Sequence, residues 1–62
     1  MKFGDNLKTI RKSKKMSQEQ LAEKVNVSRQ SVSKWENGEA YPEMNNILEL
    51  CKIFNCKIIY FN

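Results

Sequence analysis

The 62-residue chain has no histidine, one proline, two glycines and two cysteines, and each scarcity removes a class of function. With Cys51 and Cys56 as its only thiols and no imidazole, it lacks a ligand set for a metal and a side chain for general acid–base work near neutral pH. Two isolated glycines cannot form a phosphate-cradling loop, and a bundle this small has no pocket from which water could be excluded around a substrate. No apolar run approaches the roughly 18 residues of a membrane helix, and the start MKFGDNLK lacks the hydrophobic segment of a secretory signal. The expectation is a cytoplasmic binding protein, not an enzyme, with no cofactor, no metal and no membrane partner. Cys51 falls at helical spacing with Ile47, Leu50 and Phe54, where a free thiol packs as a small apolar group.

What is present is organised as helices. Residues 1–62 form one domain near the lower size limit for folding without staples, burying roughly 60% of the unfolded chain's surface. Ser17 and Gln20 have the spacing of a capping box, with Met16 and Leu21 at the staple positions. Ser28 repeats the signal, with Val27 and Val32 as its staple, and the helix it opens should run from Arg29 to the Asn37-Gly38 stop. The turn between is about three residues, which forces two short helices to cross steeply. Leu21, Ala22, Val25, Val32 and Trp35 face inward, and Ala22 suits the close approach at the crossing. Trp35, three residues after Val32, reads as core. A first helix over about Asp5 to Lys14 adds Phe3, Leu7 and Ile10, and a fourth from Met44 to Phe54 adds Ile47, Leu48, Leu50, Cys51 and Phe54.

The stretch SQEQLAEKVNVSRQSVSKWENG resembles the helix-turn-helix family of phage Cro proteins and lambdoid repressors, the xenobiotic-response-element-like regulators. That family's pattern S/T-Q-E-x-L-A-x-x-x-x-V-S-x-x-x-I/V-S-x-W-E-x-G matches at most positions, and the likeness extends from Leu7 to about Phe54. The resemblance implies an all-α compact bundle of four to five short helices around a central helix-turn-helix. Where the family commonly has glycine, Asn26 and Asn55 stand here, a mild change because asparagine readily adopts the left-handed conformation. The end KIIYFN, rich in β-branched and aromatic residues, departs from the usual fifth helix and suits a short C-terminal strand.

The implied function is sequence-specific binding of double-stranded DNA by a transcriptional repressor. Such a helix reads base edges with outward polar side chains near its N-terminus, here Ser28, Arg29, Gln30, Ser33 and Lys34. Gln30 matches adenine, and Arg29 guanine; Lys34 fits guanine or a phosphate equally. Residues 1–15 hold six cations against Asp5, a balance of +5, while the remainder of the chain carries −1. The resemblance lays this block along the phosphates, with Lys12, Lys14, Lys15, Gln18, Ser31 and Asn37 as backbone contacts. The plainer readings are a solvated face for the lysines, a helix start for Gln18 and a helix cap for Asn37. The family also pairs Arg11 with Glu36 in a partly buried ion pair, which makes both structural.

One such domain spans about four to six base pairs, so the family binds two half-sites as a homodimer. The tail Lys57 to Asn62, with Ile58, Ile59, Tyr60 and Phe61 as its apolar residues, is a candidate dimer element, by pairing across a two-fold axis, and equally a segment that folds back on its own core. The alternative function is a protein-interaction module, such as an antitoxin, whose main ligand is a partner protein.

Overall fold

The computed structural model describes residues 3–55, and these form α1 (Phe3–Ser13), α2 (Gln18–Val25), α3 (Arg29–Asn37) and α4 (Met44–Phe54). The starts and ends of α2 and α3 lie on signals in the local sequence. The capping box is complete: Ser17 Oγ accepts from the Gln20 N–H at 3.0 Å, and Gln20 Oε1 accepts from the Ser17 N–H at 2.8 Å. Ser28 Oγ takes the Ser31 N–H at 3.2 Å to open α3. These bonds satisfy amides that the helices themselves leave unpaired.

The helix ends share one device. Lys15, Asn26, Gly38 and Asn55 all have left-handed backbones, at φ 58°, 65°, 80° and 52°. After α1, the Met16 N–H reaches Arg11 O at 3.2 Å and the Lys15 N–H reaches Lys12 O at 2.9 Å, the two bonds of a Schellman motif. The same pair of bonds follows α2 through Asn26 and Val27, and α3 through Gly38 and Glu39. Asn26 and Asn55 therefore do what glycine would, as the sequence implies. Lys15 was not foreseen, since a lysine has no local means of easing this conformation.

Packing then joins the pieces. α3 lies against both α1 and α2, and α4 packs on α2. Phe3, Leu7, Ile10, Leu21, Ala22, Val25, Val32, Trp35, Leu50 and Phe54 form the core, with Met16 and Val27, the two staple residues, against its edge. Trp35 is buried, which makes it a core residue and not a stacking surface for a base.

Three expectations need correction. Leu48 is 49% exposed and does not belong to the core. Ile47, Leu50 and Phe54 define the inner face of α4, and Leu48 sits about 100° around the helix from Ile47, on the rim of an open groove that it lines with Lys24, Val25 and Asn26 at the end of α2. Cys51 is half-buried at the margin instead of fully enclosed. Finally, α1 starts at Phe3, two residues before Asp5, and ends at Ser13, because tertiary packing holds its first turn. The proposed C-terminal strand, Cys56 and the tail Lys57 to Asn62 lie outside the described residues.

Gly4 explains that early start. A Cβ built there would lie 2.6 Å from the carbonyl oxygens of both Trp35 and Glu36, so the first turn of α1 presses directly on the backbone of α3. In an ordinary helix interior, glycine to alanine gains up to about 1 kcal/mol. Here Gly4→Ala is expected to lose about 1 to 3 kcal/mol, because the backbone itself must move. Urea unfolding at constant m-value measures the sign, and a gain in stability would contradict this close approach.

Candidate nucleic-acid interface

A buried carboxylate organises the site. Glu36, in the last turn of α3, is 7% exposed, as is Arg11 from α1. Arg11 Nε donates to Glu36 Oε2 at 2.6 Å and Nη2 donates to Oε1 at 3.1 Å, a bidentate pair. The remaining arm of the guanidinium, Nη1, donates to Met16 O at 2.7 Å in the α1–α2 turn. Glu36 Oε1 also accepts from Gln18 Nε2 at 3.0 Å. One carboxylate thus ties α1, α2 and α3 together. Among the described residues no buried side-chain nitrogen or oxygen lacks a partner, which is the condition under which burying charge is tolerable.

The anchor fixes the row of polar side chains beside it. Arg29, Gln30 and Lys34 are exposed along α3, with Ser33 half-buried among them. Gln30, Ser33 and Lys34 carry no side-chain hydrogen bond among the described residues, so their polar ends are available to a ligand. Arg29 Nη1 donates to Gln18 Oε1 at 3.3 Å. Ser28 and Ser31 are engaged with each other, Oγ to Oγ at 3.0 Å, at the start of the helix. Asn37 is the last residue of α3 and not its cap; its Nδ2 donates to Glu39 Oε1 at 3.4 Å, while Gly38 takes the capping place.

Cations line the approach to α2. Lys12 is exposed in the last turn of α1, and Lys14 and Lys15 are exposed in the turn that leads to the Ser17 cap. Positive side chains and the positive end of a capped helix therefore adjoin, which favours an anion such as a phosphate.

Sequence reasoning placed Arg11 and Glu36 together through the resemblance alone, and it missed both bonds of the Gln18 amide. Those bonds join positions 18 and 11 residues apart in the chain, a separation that no local pattern encodes. The close seat of Gly4 was missed for the same reason. Lys15 offered one faint clue, its place between a helical pattern and a capping serine, where a left-handed residue is often required.

The helix-turn-helix family model matches residues 7–61. The chain belongs to that family. It is 43% identical over 58 residues to the HTH-type transcriptional activator BcrR of Enterococcus faecalis, covering 94% of this chain and 28% of that protein. Its fold superposes with a TM-score of 0.94 on the crystal structure of the P22 c2 repressor in complex with a synthetic operator, at 33% identity over 98% of this chain and 92% of that one. The restriction-modification controller protein C.AhdI of Aeromonas hydrophila gives a TM-score of 0.88 at 30% identity, over 97% of this chain and 91% of that one. The chain spans about a quarter to a half of the length of the curated relatives it matches.

The anchor's energetics are open to a double-mutant cycle. Arg11→Met or Glu36→Leu alone leaves a buried charge without its partner and is expected to cost about 3 to 5 kcal/mol. The double variant removes both charges and should recover most of that loss. Denaturant unfolding of the three variants decides; additive single losses would contradict direct pairing.

Proposed function

We propose that this chain binds double-stranded DNA in a sequence-specific manner as a transcriptional regulator, with α3 in the major groove, and represses by occupying an operator. One observation carries this reading: α3 presents Arg29, Gln30, Ser33 and Lys34 from a scaffold that overlays on an operator-bound repressor. In that placement the outward side chains meet base edges, and Gln30 suits the N6 and N7 of adenine. Lys12, Lys14, Lys15, Gln18, Ser31 and Asn37 would meet the phosphates on either side. The role is binding, without catalysis. A homodimer on two half-sites about one helical turn apart gives the selectivity that one domain's few base pairs lack. The similarity to an activator, BcrR, supports a second sign of regulation from the same mode of binding, and transcription measured in vitro from a promoter carrying the selected site separates the two.

Selection of bound duplexes from a random pool tests the proposal as a whole. Two related half-sites should be enriched, with centres about 10 base pairs apart. A pool that remains random would remove sequence-specific binding, and a single enriched half-site would remove the dimer.

Two variants test the parts. If two subunits together neutralise about 6 to 10 phosphates, affinity should fall roughly 10³- to 10⁵-fold between 50 and 200 mM salt. Replacing Lys14 and Lys15 by alanine should weaken all duplexes alike and flatten that dependence; an unchanged slope would place both lysines off the DNA. Gln30→Ala should cost about 1 to 3 kcal/mol per half-site on the selected duplex while leaving unrelated duplexes nearly unaffected. An equal loss on every sequence would make Gln30 a backbone contact.

A further inference from the structure

Among the described residues, three large apolar side chains are exposed: Tyr41, Met44 and Leu48. Tyr41 is accounted for locally, since its ring lies against that of Phe3 with centroids 4.8 Å apart. Met44 and Leu48 stand outside the core cluster, 59% and 49% exposed, one turn apart on α4. Half-buried Cys51 continues their row. Beside the inward stripe of Ile47, Leu50 and Phe54, α4 thus carries a second, shorter apolar stripe that nothing in the described chain covers.

The charges flanking this row are opposite at its two ends. Glu43, before the first turn, makes no cap bond and no ion pair among the described residues. Lys52, in the last turn, has only a 3.5 Å contact with Glu49, and its side chain is 76% exposed. An antiparallel copy of α4 centred on Leu48 sets Leu48 against Leu48 of the partner subunit and lays the stem of the partner's Lys52 over Met44. The same register places each Glu43 beside Lys52 of the partner subunit, twice by symmetry, and opposes the two helix dipoles. A parallel copy would bring like charges together at both ends.

Deepening the homodimer reading above, we propose that a second copy of this chain docks on the Met44–Leu48 row, with α4 antiparallel to α4 across the two-fold axis and Glu43 and Lys52 fixing the register. The dimensions suit a thin contact. The Cα extents of the chain are 24 × 22 × 21 Å, and half-site centres one helical turn apart are separated by about 34 Å. The remaining gap of about 10 Å is spanned by two facing long side chains. A single helix pair buries well under the roughly 1,200 Å² of a stable complex, so the copies pair weakly in solution and cooperate once DNA holds both.

The test is cooperativity: the affinity for a duplex with both selected half-sites relative to that for a duplex with one. It is measured for the intact chain, Leu48→Asn, Glu43→Lys, Lys52→Glu and the double charge reversal. Taking the ratio removes any general effect of altered net charge on DNA binding. The intact chain should fill the second half-site more tightly than the first, and Leu48→Asn should abolish that gain. Each single reversal should lower it about 2- to 30-fold, corresponding to about 0.4 to 2 kcal/mol for two exposed pairs. The double reversal restores opposite charges and should recover most of the gain. Circular dichroism checks the fold of each variant, and Met44→Gln serves as a second probe of the row if Leu48→Asn melts α4. Cooperativity that survives the substitutions in the row and both reversals would overturn the proposal and place the contact elsewhere on the chain, with the homodimer intact. A double reversal no better than the single ones would overturn the antiparallel register. Independent filling of the two half-sites by the intact chain would overturn the homodimer reading itself and leave the row to a partner of another kind.

Discussion

The structure depends on the bidentate contact between Arg11 and Glu36. Ridges of apolar side chains can hold three short helices together, but they tolerate sliding and rotation that a reading helix cannot. A guanidinium and a carboxylate that share two hydrogen bonds in a buried setting accept one geometry. The same carboxylate takes the Gln18 amide, and the same guanidinium takes the carbonyl of Met16, so the start of α2 and the turn before it are located by the same pair. Such pairs contribute little net stability once desolvation is counted. Their value here is angular, because the register of α3 against α2 determines which side chains face a ligand.

The apolar core supplies the stability and leaves the polar face free to vary. Leu7, Leu21, Val32 and Leu50 are fully enclosed, one from each helix, so each helix contributes a side chain to the centre. The tight fit of Gly4 on the carbonyls of Trp35 and Glu36 brings α1 against the end of α3 that carries the anchor. Lys15 is the opposite case. It holds a left-handed backbone at a cost of about 1 to 2 kcal/mol that glycine would avoid, and a strained residue in a functional region points to a role for its side chain. Its position beside Lys14 and the capped start of α2 suits the proposed role of a charge near phosphates.

Much of this was legible in the sequence because it is local. Ser17 with Gln20, Ser28 with Val27 and Val32, and the stops at Asn26, Gly38 and Asn55 are signals within a few residues; α2 and α3 lie where those signals put them, and α4 ends where Asn55 stops it. The inward faces of α2 and α3 followed from spacing. The miss at Leu48 came from treating every apolar residue of α4 as core, although only the stripe of Ile47, Leu50 and Phe54 is buried. The first turn of α1, the Gln18 bonds and the seat of Gly4 are tertiary, and nothing adjacent in the chain records them. Arg11 with Glu36 is tertiary too, and it was legible only because the resemblance supplied the pairing.

The central claim is that the face formed by the start of α2 and the outer side of α3 is the one that meets DNA. Titration of the isotopically labelled chain with its selected duplex, followed by backbone amide shifts, tests this most directly. The account places the largest changes at residues 17–19, 28–34 and 37, with the turn at 14 and 15, and small changes along Met44–Phe54. Changes concentrated on the exposed side of α4, around Met44 and Leu48, with 28–34 unmoved, would contradict it.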